Sequence, residues 1–261
     1  MLVSVGGPSP MVDFRRAQPA GQQPAAQGPV RQAGSSVAPE VFLAGIPPLG
    51  LNRFPMLATE KVRDLTLQSP VFPDGPLFLA AGSGTVRVDD CLYVLPDDGL
   101  HLARFPDDGP GRLERLLDRP DLPTDEDERK KVKPDMEALT ATPDRTALVA
   151  FGSGSTERRE QGVLYPLDGS KPMEFALSTL YAAIRARLSG LDPRNPRLNL
   201  EGSAFVRDAV VLAQRGNSLH GVNALVELDA AGFLQAVNQG SPPGAGLIRT
   251  VTQVDLGSLG S

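Results

Sequence analysis

PDMEALTATPDRTALVAFGSGS, beginning at Pro134, and LNLEGSAFVRDAVVLAQRGNS, beginning at Leu198, are two copies of one unit. They align without a gap at an offset of 64 residues: Asp135 meets Asn199, Glu137 meets Glu201, Asp144 meets Asp208, Leu148 meets Leu212 and Gly152 meets Gly216. A few residues on, VLYPLD (163–168) is matched by ALVELD (224–229) at an offset of 61. Short apolar runs alternate with turn residues, so each copy reads strand, turn, strand, Gly-rich turn, strand. Such a unit cannot cover both of its faces alone and must stack on its neighbours. Radial stacking of small antiparallel sheets makes a propeller.

The same texture extends upstream. Residues 77–81 (LFLAA), 85–88 (TVRV), 91–95 (CLYVL) and 100–105 (LHLARF) read as strands, with Asp89-Asp90 and Pro96-Asp97-Asp98-Gly99 as the turns between them. A further strand is expected at 247–254, and the charged run TDEDERKK (124–131) reads as a solvated loop. Between the two copies, FALSTLYAAIRARLSG (175–190) carries Leu177, Leu180, Tyr181, Ile184 and Leu188 at helical spacing, with Ser178 as N-cap and Gly190 as the C′ residue. The expected fold is all-β: a β-propeller-like array of short antiparallel sheets with one inserted helix near 176–190. About 200 ordered residues at some 50 per blade make about four blades, the low end of the known range. The ring is therefore expected to be incomplete, or the chain a truncated product.

Residues 7–39 are rich in Pro, Gln, Ala, Gly and Ser and hold too little apolar surface to offset the entropy of ordering. The expected organisation is a flexible N-terminal region over 1–59 and a propeller-like domain over 60–261. Gly (27) and Pro (25) fit many short strands joined by turns. A net charge of -5 without a basic stripe argues against nucleic acid as a partner. One Cys and two His exclude a disulfide and a Cys/His zinc site, so a metal would need oxygen ligands. No run of about 18 apolar residues is present, and the N-terminus lacks a basic start and an apolar core. The expected setting is the cytoplasm, away from membranes.

At Asp135-Met136-Glu137-Ala138, Gly152-Ser153-Gly154-Ser155, Asn199-Leu200-Glu201-Gly202 and Gln214-Arg215-Gly216-Asn217 the chain resembles an uncharacterised bacterial family of propeller-like proteins. That family is distantly similar to the esterase-like phytases, in which xEG or xEA followed by PDG recurs around a propeller. The resemblance covers roughly residues 60–255. It implies a propeller-like fold and, more remotely, an ester or phosphoester hydrolase.

Side chains two apart on a strand share a face, so Asp135 goes with Glu137 and Asn199 with Glu201. If both copies open equivalent strands of neighbouring blades, their acids meet at one end of the molecule. Asp135, Glu137, Asn199 and Glu201 are then candidates for a hard cation such as Ca²⁺, for a general acid, or for purely structural pairing. Arg215 offers a fork for carboxylate or phosphate, with Glu137 or Glu201 as its alternative partner, and Asn217 follows it. GSGSTERR (152–159) supplies Ser153, Ser155 and Arg158 as candidates for an anion nest, against the plainer reading of a hairpin turn. His220 lies after the second Gly-rich turn, His101 on an exposed strand face, and Cys91 in the core. Two functions follow. One is a binding scaffold with a polar central site for a small anionic molecule or a protein partner. The other is a metal-assisted phosphoesterase or esterase of the phytase-like kind.

Overall fold

A computed structural model describes residues 61–79, 81–96, 99–192, 197–216 and 221–255. The expectations for residues 1–59, for Asn217 and for His220 lie outside the described residues. From Leu65 onward the chain forms one compact unit, Leu65–Ser261.

Among the described residues twelve strands form three four-stranded sheets, each an antiparallel meander in chain order. The first holds β1 (Gly82–Val88), β2 (Cys91–Pro96), β3 (His101–Pro106) and β4 (Arg112–Arg115). The second holds β5 (Met136–Ala141), β6 (Ala147–Gly152), β7 (Gln161–Pro166) and β8 (Met173–Ala176). The third holds β9 (Leu200–Val206), β10 (Ala209–Gln214), β11 (Ala224–Asp229) and β12 (Ile248–Gln253). The opening strands β1, β5 and β9 lie side by side, β5 between the other two. This is the propeller-like arrangement the repeat implies.

The two-residue period of the strands builds the inter-sheet cores. In β6, Val149 and Phe151 face the third sheet, where they join Leu200, Val210, Leu212 and Val226. The alternate residues Leu148 and Ala150 face the first sheet and join Tyr93, Leu95 and Leu102. All six residues of β6 are buried, which is why ALVAFG reads as a continuous apolar run rather than an alternating one. The far face of the first sheet, with Val94, Ala103 and Phe105, is covered by Leu65, Leu67, Val71 and Leu79. On the third sheet the outward-facing Leu225 stays 40% exposed while its neighbour Val226 is fully buried.

Several expectations need correction. Residues 77–79 are not part of a strand; Phe78 makes only an isolated bridge to Thr66. Among the described residues three α-helices occur, not one. The charged run contains α1 (Glu126–Val132), capped by Asp125, whose side chain accepts from the Glu128 amide. The segment 175–190 is divided: β8 ends at Ala176, and α2 (Ser178–Leu191) has Leu177 as N-cap, runs through Gly190 and has Asp192 as C-cap. Leu177 makes no side-chain capping bond; its side chain is wholly buried instead, so packing sets the start of this helix. The third helix, α3 (Ala230–Asn238), starts directly from β11, with the Asp229 carboxylate accepting from the Gly232 amide. These helices and their connections occupy chain that the blade count gave to strands, and the described residues form three sheets rather than about four.

The repeat is threefold. In β5 the register passes from Met136↔Gly152 to Ala138↔Phe151, leaving Glu137 as a bulge. In β9 it passes from Leu200↔Gln214 to Gly202↔Ala213, leaving Glu201. In β1 it passes from Gly82↔Pro96 to Gly84↔Leu95, leaving Ser83. Each bulge is the second residue of an opening strand. The upstream sheet escapes sequence comparison because its bulge is Ser83, not an acid. A left-handed residue recurs in the turns that follow, Asp89 (φ 50), Arg145 (φ 59) and Arg207 (φ 56).

Candidate functional site

The starts of β5 and β9 come together at one end of the unit. The link is a backbone hydrogen bond from the Leu200 amide to the Ser153 carbonyl, 2.9 Å, just past the end of β6. Bulges at strand ends re-aim side chains, and here they place Glu137 and Glu201 at equivalent positions of neighbouring sheets.

Around the first copy, Asp135 is buried and left-handed (φ 55). Its carbonyl accepts from the Ser153 amide at 3.0 Å, and its carboxylate from the Ser153 hydroxyl at 2.7 Å. Lys133 approaches Oδ1 at 2.9 Å and Arg159 approaches Oδ2 at 2.9 Å. Ser153 is also 2.9 Å from the Ser155 hydroxyl, which accepts from Arg159 at 2.7 Å. Asp135, Ser153, Ser155 and Arg159 thus form a closed ring of polar contacts. A buried carboxylate needs this company, since desolvation without partners costs far more than any single hydrogen bond returns.

The Gly-rich turn is held from beneath by α2. Tyr181 donates to the Gly152 carbonyl at 2.8 Å, and Arg185 pairs with the buried Glu160 at 2.6 Å. Burial pushes the Tyr181 phenol well above its ordinary value, and the nearby Glu160 carboxylate adds to the shift. Gly154 has φ +70, and a Cβ there would sit 2.6 Å from Leu198 and 2.7 Å from the Tyr181 ring. Glycine is required on both counts.

In the second copy Asn199 is buried. Its backbone N–H donates to Gln214 Oε1 at 2.7 Å, its backbone carbonyl accepts from the Arg215 amide at 2.9 Å, and its side-chain NH₂ donates to Glu201. Arg215 pairs with the same Glu201 oxygen at 3.0 Å while its side chain stays 61% exposed. Ser153, Ser155, Asp135, Asn199, Glu201 and Arg215 therefore all lie at this end. Arg158 is exposed, and it is Arg159 that reaches Asp135. Lys133 and Arg159 are the members that sequence reading passed over. The signal for Lys133 was its place two residues before Asp135; nothing local distinguishes Arg159 from Arg158.

As a cation site the arrangement fits poorly. The oxygens of Asp135 already face Lys133, Arg159 and Ser153, and Glu201 already faces Arg215 and Asn199. Among the described residues no three His, Cys, Asp or Glu side chains gather as a metal would require. The two histidine and cysteine candidates that are described lie elsewhere: His101 on β3 beside Arg115, and Cys91, only partly buried, at the start of β2.

A family model matches residues 78–261, and its description is a family of unknown function (DUF6929). No curated protein matches the chain. Among solved structures, the chain is similar to the β-propeller domain of Cps50 (Swd1) from Myceliophteria thermophila, at 13% identity and a TM-score of 0.31, over 62% of this chain and 37% of that one. It is similar also to the WD40 β-propeller domain of Doa1, at 10% identity and a TM-score of 0.31, over 58% of this chain and 49% of that one. The chain thus matches less than half the length of either propeller.

Proposed function

Given that the chain belongs to this family of unknown function, we propose that it is a binding scaffold, with the end bearing Asp135, Asn199, Glu201 and Arg215 as its contact surface. One observation carries this reading: Asp135 and Glu201 are already matched by cations and amides that lie beside them. Asp135 has Lys133 and Arg159, and Glu201 has Arg215 and Asn199. A catalytic carboxylate needs access to its substrate proton; a metal-holding one needs free oxygens. A rigid, internally paired rim instead offers fixed hydrogen-bonding groups at little entropic cost to a ligand. Arg215 is the anchor, since it is the most exposed member and an exposed pair of this kind is worth only about 0–1 kcal/mol. An incoming carboxylate or phosphate competes with Glu201 for its fork.

Citrate titrated calorimetrically into the full chain is expected to bind, and Arg215→Ala is expected to weaken that binding. The alternative, a metal-assisted phosphoesterase of the esterase-like phytase kind, predicts other results. Ca²⁺ would raise the melting midpoint by mass action, and p-nitrophenyl phosphate would be turned over in a manner lost in Glu201→Gln. Those two outcomes together would displace the scaffold reading.

A further inference from the structure

Away from the strand-start end, the first sheet carries a cleft of about 230 Å³ lined by Gln68, Arg104, Pro106, Pro110 and Arg112. We infer that this cleft is a small-oxyanion site in which Arg104 and Arg112 together hold a phosphate or carboxylate group.

The argument starts from register. Arg104 on β3 and Arg112 on β4 are directly opposed partners in the ladder. Like charges in that relation repel and destabilise a sheet unless something neutralises them. One carboxylate is present: Glu114 Oε1 lies 2.6 Å from Arg112 Nε and 3.8 Å from Arg104 Nη1. That acid is shared with Tyr165 of the second sheet, whose hydroxyl donates to its other oxygen. Two guanidiniums against one engaged carboxylate leave an excess of one positive charge beside the cleft. The Arg104 guanidinium also meets Cys91 and Tyr93 on its own sheet, and its Nε–H is buried without a hydrogen-bond acceptor. Buried donors in native folds almost always have one, and an oxyanion is the group that brings several acceptors at once to a guanidinium pair.

The walls are pre-formed. The Gln68 amide donates to the Gly111 carbonyl at 2.8 Å, and the Gly111 amide donates to the Thr66 carbonyl at 2.7 Å. Gly111 lies so close to the Phe105 ring that a Cβ would come within 2.4 Å of it. The loop leading from Pro106 to Arg112 is therefore clamped at Gly111, beside Arg112. The volume is below that of pockets for drug-sized ligands and suits one phosphate or carboxylate group with a few waters.

The test uses the full chain, with inorganic phosphate and, separately, acetate as probes against chloride at equal ionic strength. Binding is read by calorimetry and by the melting midpoint. The wild-type protein is expected to bind at least one of the two, and Arg112→Ala, whose side chain is largely exposed, to weaken that binding tenfold or more. Removing the competing acid in Glu114→Gln is expected to tighten it tenfold, a gain that a merely structural role for Glu114 would not give. The probes are also titrated into Arg215→Ala, which removes the strand-start surface's share, and the Arg112→Ala loss and the Glu114→Gln gain are expected to persist in that background. No binding by wild type, or equal binding by wild type and Arg112→Ala with both folded by circular dichroism, overturns the proposal.

Discussion

Two glycines separate the steric from the conformational part of what the fold asks of single residues. Gly154 and Gly169 both have positive φ, +70 and +87, but a Cβ at Gly154 would collide with Leu198 and Tyr181, whereas at Gly169 nothing lies within 4 Å. Gly169→Ala is therefore expected to cost about 1–2 kcal/mol, the price of a left-handed alanine. Gly154→Ala adds an overpacking penalty of about 1–3 kcal/mol to that. Denaturant midpoints of the two variants measure the difference, and equal losses would mean that the Gly154 turn relaxes away from α2. Tyr181 supplies a second residue-scale prediction, in alkali. Its phenol is held well above the ordinary value by burial. A group whose folded pKa is raised contributes stability that is fully present below the unfolded value, about 10, and lost as pH rises beyond it. The melting midpoint is expected to fall above about pH 10, and Tyr181→Phe to fall less steeply there while starting lower at neutral pH for want of the bond to Gly152. Parallel pH profiles for the two proteins would contradict this.

At the scale of elements, the face of a strand matters more than its hydrophobicity. Leu212 and Leu225 are the same residue type in paired strands of the third sheet, yet Leu212 is wholly buried against the second sheet and Leu225 is 40% exposed on the other face. Leu212→Ala is expected to cost about 2–5 kcal/mol, and Leu225→Ala within about 0.5 kcal/mol of nothing. Urea melts decide it; comparable losses would mean the outer face is covered. Sequence reading located most of these strands because apolar runs and turn residues alternate so regularly, but the 64-residue offset holds only for the opening strands: the ladders make Gln214, not Gly216, the equivalent of Gly152, because the turn between β9 and β10 is two residues shorter than that between β5 and β6. It failed where tertiary packing overrules local signals. Leu177 starts α2 by being buried, not by capping, so the search for a polar N-cap fell on Ser178 one residue too late. The helix α1 buries nothing and was hidden in a charge run, although Asp125 followed by acids and then bases is the pattern a helix dipole favours. The helix α3 was masked by the strand it follows, with Asp229 serving both as the end of β11 and as a cap. For the polar end, the equivalence of Glu137 and Glu201 was legible from spacing alone. Their bulges were not, nor was the reach of Arg159 to Asp135, because both depend on how the backbone turns after β6.

For the molecule as a whole, the row of three sheets makes the middle one the keystone. Its β6 has both faces buried, one against each neighbour, whereas the first sheet's far face is covered by the segment 65–79 and the third sheet's outer face bears exposed Val206 and Leu225. In stacked architectures stability is nearly a sum of unit and interface terms, so the sheet with two interfaces should open last. Hydrogen exchange measured by mass spectrometry is expected to find the slowest amides in β6 and its partners β5 and β7, and the fastest strand amides in β4 and β12 at the outer edges. Phe151 reaches the third sheet and packs its ring 5.7 Å from that of Phe233 on α3. Phe151→Ala should therefore cost about 3–5 kcal/mol and release the third sheet's amides ahead of the first sheet's. If both outer sheets lose protection together, the unit opens as one cooperative block, and the stacked description is wrong for it. If the third sheet alone is released, the second and first sheets persist as a folded pair joined by Tyr93, Leu95, Leu102, Leu148 and Ala150, and the repeat visible in the sequence is also the unit in which the protein comes apart.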